Sequence, residues 1–118
     1  MPAARMMRSA PVLQVKDVVA SEVFYREKLG FETAGFWGEP PCFCIVGRGA
    51  VTLFLDQGRT KDAAPPVNQY WAAYVYVDDV DAYLAELKGQ QVEIVRGPED
   101  APYGCREIDI RDPDGHIL

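Results

Sequence analysis

The side chains able to do more than pack are few: one histidine, three cysteines and several carboxylates set among aromatics. His116 adjoins the Asp112-Pro113-Asp114-Gly115 turn, where a polar residue more commonly ties backbone together than performs catalysis. Cys42, Cys44 and Cys105 form no C-x-x-C pair. Cys42 and Cys44 lie two apart in an extended stretch, so they share a face and are badly placed to bond each other. The thiols therefore read as reduced, packed groups of a cytoplasmic protein. Glu107 and Asp109 have the i, i+2 spacing that puts both on one strand face, either as solvated surface acids or as a rim for a cationic group. No residue is positioned as a nucleophile beside a base, and no glycine-rich phosphate loop is present. The run Tyr70-Trp71-Ala72-Ala73-Tyr74-Val75-Tyr76, with Trp37, Phe43, Phe54 and Tyr103, concentrates ring surface suited to a planar ligand or to a core.

Two stretches position these groups, and they read as one unit written twice. Val12 to Ala20 and Tyr74 to Ala82 each run as an alternating strand into an aspartate and then a helical pattern, offset by 62 residues. Asp17 and Asp79 stand at the helix N-caps, and Gly30 and Gly89 supply the stops. Strands are expected at Pro11 to Lys16, Phe31 to Phe36, Phe43 to Val46 and Val51 to Leu55, with a helix from Val18 to about Leu29. The helix should cover the sheet with Val19, Val23, Phe24 and Leu29. The polar stretch from Asp56 to Gln69 reads as the linker. The second unit is expected to place strands at Trp71 to Val77, the strongest strand signal in the chain, at Val92 to Val95 and at Arg106 to Arg111. Its helix is expected over Val80 to Lys88, and a last strand should begin at His116. Arg96 to Pro102 reads as a loop.

Strand alternation then sorts the side chains. Leu13, Val15, Val51, Leu53, Leu55, Val75 and Val77 face the helices, while Gln14, Thr52, Phe54, Asp56, Tyr74 and Tyr76 line the other face. That second face is a ligand cleft, a subunit contact or a solvated surface.

The 118 residues fit one domain, taken as 1–118 with modules at about 10–57 and 70–118. No apolar run approaches the roughly 18 residues of a membrane span. Met1 to Ala10 lacks the apolar core of a secretory signal and reads as a leader or an exchanged arm. A net charge of −6 disfavours nucleic acid and leaves neutral or cationic ligands open.

Asp17 with Phe24-Tyr25-Arg26-Glu27-Lys28-Leu29-Gly30-Phe31, then Val77-Asp78-Asp79-Val80-Asp81, then Gly104-Cys105-Arg106-Glu107 leading to Asp112-Pro113-Asp114-Gly115-His116, resembles the vicinal oxygen chelate superfamily. That superfamily holds glyoxalase I, bleomycin and fosfomycin resistance proteins and extradiol dioxygenases. The resemblance implies an α+β fold of two βαβββ modules whose mixed sheet curls into a cup, commonly completed as a homodimer. Its enzymes hold a divalent metal with His, Gln or Glu from four strands. Carried onto this sequence, three of those positions fall at Ala10, Phe54 and Ala72, and the fourth just after Leu118. Alanine and phenylalanine offer no lone pair, so the resemblance is closest to the bleomycin resistance branch, which binds its drug without turning it over. The expectation is a metal-free small-molecule binding protein without a cofactor, sequestering a planar or cationic compound. Trp37, Thr52, Phe54, Asp56, Tyr74, Tyr76, Tyr103, Arg106 and Glu107 are its candidate ligand-binding residues. The alternative implied by the same resemblance is a divalent-metal-dependent lyase, isomerase or dioxygenase.

Overall fold

The computed structural model describes residues 3–58 and 70–118; most of the expected linker, residues 59–69, lies outside them. The first half runs β1 (Val12–Gln14), α1 (Val18–Glu27), β2 (Glu32–Trp37), β3 (Phe43–Arg48) and β4 (Val51–Asp56). These strands form one mixed sheet in the order β1-β4-β3-β2. The helix crossover lets β1 lie parallel to β4, while tight turns make β2, β3 and β4 antiparallel. Asp17 caps α1 by accepting from the amides of Val19 and Ala20, and Gly30 leaves the helix at φ +79°.

Of the expected stripe, Phe24 and Leu29 are buried, Val23 is half-buried and Val19 turns outward. Val18 and Tyr25 are covered as well. Starting directly after its cap, α1 turns Val18 and Tyr25, seven residues and two turns apart, onto the sheet. They meet Leu13, Val15, Cys44, Val46, Leu53 and Leu55, the continuous core of this half. Burial pushes the Cys44 thiol up to about 11, so it packs as a small apolar group.

The second half contains α2 (Val80–Leu87), capped by Asp79, and the antiparallel hairpin β5 (Glu93–Asp100) with β6 (Arg106–Arg111). Here the expectation for Trp71 to Val77 fails. Of that stretch only Trp71 pairs, in parallel with Ile117, and Tyr74 to Val77 belong to no strand. A strand needs a partner's amides and carbonyls, whatever its own propensity. Among the described residues the backbone that pairs with this stretch comes from Ile117, and Leu118 is engaged with β6 through reciprocal bonds with Ile110. Val77 is accordingly 41% exposed instead of packed under a helix.

The halves are tied along one side by polar contacts. The Tyr25 hydroxyl, fully buried, donates to Asp112 Oδ2 at 2.7 Å across 87 residues of chain. Asp112 Oδ1 accepts from the amides of Asp114 and His116, which folds the Asp112–Gly115 turn. Asp114 Oδ1 accepts from the Lys16 amide, and His116 Nε2 lies 2.5 Å from the Gln14 carbonyl. Since a carbonyl only accepts, Nε2 carries that proton, and His116 is buried as a structural tie. At the other end Arg48 grips Glu86 with two bonds of 2.8 Å and lies over the Tyr83 ring.

Candidate functional site

The molecule is a slab of 49 × 43 × 25 Å. In the first half, register fixes which residues line the face away from α1. Trp37 pairs with Phe43, Phe43 with Asp56, Ile45 with Phe54 and Gln14 with Asp56. Directly opposed residues share a face, so Trp37, Phe43, Phe54 and Asp56 stand together, with Thr52 two residues before Phe54. The rings form an edge-to-face row, Trp37 on Phe43 at 5.9 Å and Phe43 on Phe54 at 5.3 Å. Trp37 ends the row half exposed. Asp56 accepts from the Gly58 amide and turns the chain out of β4.

On the second half a shallow cavity of about 520 Å³ is lined by Tyr70, Trp71, Arg96, Tyr103, Glu107 and Asp109, among others. Trp71, Tyr74 and Tyr76 form a second edge-to-face row with spacings of 5.0 and 5.1 Å. Their polar edges converge on two carboxylates. Tyr74 and Tyr103 both donate to Glu107 Oε2, and the Trp71 indole N–H donates to Asp109 Oδ1 at 2.9 Å. Arg96 joins the carboxylates, reaching Glu107 at 2.7 Å and Asp109 at 3.0 Å, and it also meets Glu99.

Bonds from Tyr103, Tyr74 and Arg96 hold the Glu107 carboxyl down at about 2, against an ordinary value of 4.5. The same Glu107 bond raises Tyr74 above the usual phenol range. Glu107 is therefore an ionised anchor, not a proton-transfer group at neutral pH. Because its folded value is depressed, its stabilisation is present above about pH 4.5 and is lost as pH falls towards 2. Urea midpoints measured between pH 5 and pH 2 should fall more steeply for the natural protein than for Glu107→Gln. Parallel curves would show that the cluster does not couple to folding.

The structure thus sorts the candidate residues into two groups. Trp37, Thr52, Phe54 and Asp56 lie on the first half; Tyr74, Tyr103 and Glu107 cluster on the second, with Tyr76 beside Tyr74 and 80% exposed. Arg106 lines a separate cavity of about 440 Å³ that Tyr74, Tyr76 and Glu107 also border, but it does not bind Glu107. Its guanidinium is bound to Asp81 and Asp100, and β-strand alternation turns it away from Glu107. Sequence reasoning missed Arg96, which it assigned to a loop. A cation thirteen residues before Asp109, across a turn, was the available signal of a cross-strand ion pair.

A metal of the kind the resemblance implies finds no matching donors. The side chains at Ala10, Phe54 and Ala72 have no lone pairs, and among the described residues no group of three His, Cys, Asp or Glu side chains is arranged to hold a metal ion. The Glu107–Asp109 pair already holds a guanidinium, whose charge opposes a metal ion.

Comparison with known proteins agrees with this architecture. The bleomycin-binding protein of bleomycin-producing Streptomyces verticillus, solved with copper(II)-bleomycin, is 27% identical, with TM-score 0.73 over 98% of this chain and 94% of that one. TnmS3, an antibiotic binding protein from Streptomyces sp. CB03234, is 25% identical, with TM-score 0.69 over 97% of this chain and 94% of that one. A bleomycin resistance determinant encoded on the transposon Tn5 shares the fold at TM-score 0.78 and 21% identity, over 96% and 94% of the two chains. No curated protein matches significantly. The family profile described as Glyoxalase/Bleomycin resistance protein/Dioxygenase superfamily matches residues 8–118. With the profile spanning nearly the whole described fold, the chain belongs to that superfamily.

Proposed function

We propose that this protein binds and sequesters a small, planar organic molecule without a metal and without converting it. The observation that carries this reading is the pair of aromatic rows on open faces, Trp37-Phe43-Phe54 and Trp71-Tyr74-Tyr76, ending in the exposed rings of Trp37 and Tyr76. The exposed end rings keep broad surface free to stack on a flat ligand. The two relatives at 25% and 27% identity are an antibiotic binding protein and a bleomycin-binding protein, which supports an antibiotic-like ligand.

Each face supplies half of a cleft. In our reading a second copy completes it, placing the first half of one protomer over the second half of its partner, so that the working unit is a homodimer. An open, aromatic sheet face on a slab 25 Å thick is the kind of surface that association covers. Three unpaired thiols and no membrane-spanning helix among the described residues suit a reducing, cytoplasmic setting.

Calorimetric titration with a panel of planar antibiotics, alongside sedimentation velocity, tests the proposal. The expected result is saturable binding at one ligand per chain by a dimer. Failure of every compound to saturate at its solubility limit would remove the sequestering reading.

A further inference from the structure

Three aromatic side chains of the second half face two carboxylates, and one cation holds both. Arg96 reaches that position because β5 is irregular. Its pairing with β6 shifts register on both sides of Arg96, which sets Arg96 opposite Asp109 and Glu99 opposite Glu107. The bulge depends on Gly97, whose φ is +89° and where a Cβ would collide with the Glu107 carbonyl oxygen. The guanidinium then spans Glu107 Oε1 and both oxygens of Asp109, a fork that lysine cannot reproduce.

The other oxygen of Glu107 receives Tyr74 and Tyr103, while Asp109 Oδ1 also receives Trp71. All three ring donors thus point at acceptors whose places Arg96 fixes. Without it, two carboxylates two residues apart on one strand would repel each other and release the rings that depend on them. With Glu99, which it also binds, Arg96 leaves the three carboxylates with two net negative charges instead of three.

We propose that Arg96 is the positioning residue of this aromatic half-site and sets the charge of the ligand it accepts. This rests on the small-molecule reading above. With Arg96 in place the negative charge of the site is partly offset and flat rings of low charge are admitted; with its charge removed the site favours cations more strongly.

Two flat probes of similar shape separate these roles: neutral 2-naphthamide and cationic 2-naphthamidine, titrated calorimetrically into the natural protein, Arg96→Gln and Arg96→Lys. Arg96→Gln should bind the amide at least tenfold more weakly while the amidine-to-amide preference rises about tenfold. Arg96→Lys should also lose amide affinity, since a single ammonium cannot bridge both carboxylates, but should keep the natural preference. Unchanged affinities in both variants, including the case where melting temperature alone falls, would assign Arg96 to the fold and overturn the proposal. If the natural protein binds neither probe, the antibiotic panel decides the sequestering reading. Arg96 is then judged by carboxyl and ring NMR: a rise in the Glu107 titration midpoint with faster Tyr74 and Tyr103 ring exchange in Arg96→Gln upholds positioning, and no change overturns it.

Discussion

Replacing Asp112 with alanine is expected to destabilise the protein by about 3 kcal/mol, the largest effect of any single polar change considered. Asp112 is 4% exposed and satisfies three donors: the Tyr25 hydroxyl and the amides of Asp114 and His116. Its loss leaves a fully buried phenol without an acceptor and unpins the turn that carries Asp114 and His116 against β1. Leaving a buried donor unsatisfied costs roughly 1–3 kcal/mol, and the broken charged bonds add to that. Tyr25→Phe removes the stranded hydroxyl, so the double variant should be less destabilised than the sum of the two singles. Urea unfolding of the four proteins measures this. Strict additivity would mean that the 2.7 Å contact carries no coupling.

Trp37→Ala should separate binding from folding. Half of Trp37 faces solvent and its ring touches Phe43 alone among the aromatics, so unfolding free energy should change by no more than about 1 kcal/mol. Ligand affinity should fall by tenfold or more, because an exposed indole at the end of an aromatic row is the kind of anchor that dominates an interface. If the ligand lies between protomers, sedimentation should also show weaker self-association. Full retention of ligand affinity would take Trp37 out of the site.

How much of this was legible in the chain depended on how local each signal was. The caps at Asp17 and Asp79 and the left-handed stops at Gly30 and Gly89 are properties of a few neighbouring residues, and they appear where expected. The alternation of Leu53 and Leu55 with Thr52 and Phe54 likewise gave the two faces of β4. Trp71 to Val77 had the best strand propensity of all, yet propensity cannot supply a partner, and among the described residues only Ile117 pairs with it. Arg96 was hidden for a related reason. Gly97 and Pro98 look like loop formers, whereas in the structure they sit in a bulged strand that aims the arginine at residues eleven and thirteen positions away. Parity gave the open face of β4 with Thr52 and Phe54, but it had no hold on Tyr74 and Tyr76, which belong to no strand, and it says nothing about how the two halves are disposed. Tyr25 was read only as part of a motif; its hydroxyl finds Asp112 through the folded chain.

The ties between β1–α1 and the final turn span 87 to 102 residues, whereas the pairings within each half, β1 with β4 and Trp71 with Ile117 included, close loops of about half that length. Closing so long a loop is entropically late, so the two halves should condense separately and their joint should seal after the rate-limiting barrier. In a chevron plot, Asp112→Ala would then steepen the escape from the native state while leaving the refolding arm almost untouched. The joint would act as a brake on opening and have little part in nucleation, holding the two aromatic faces in a fixed relation for the lifetime of the native state.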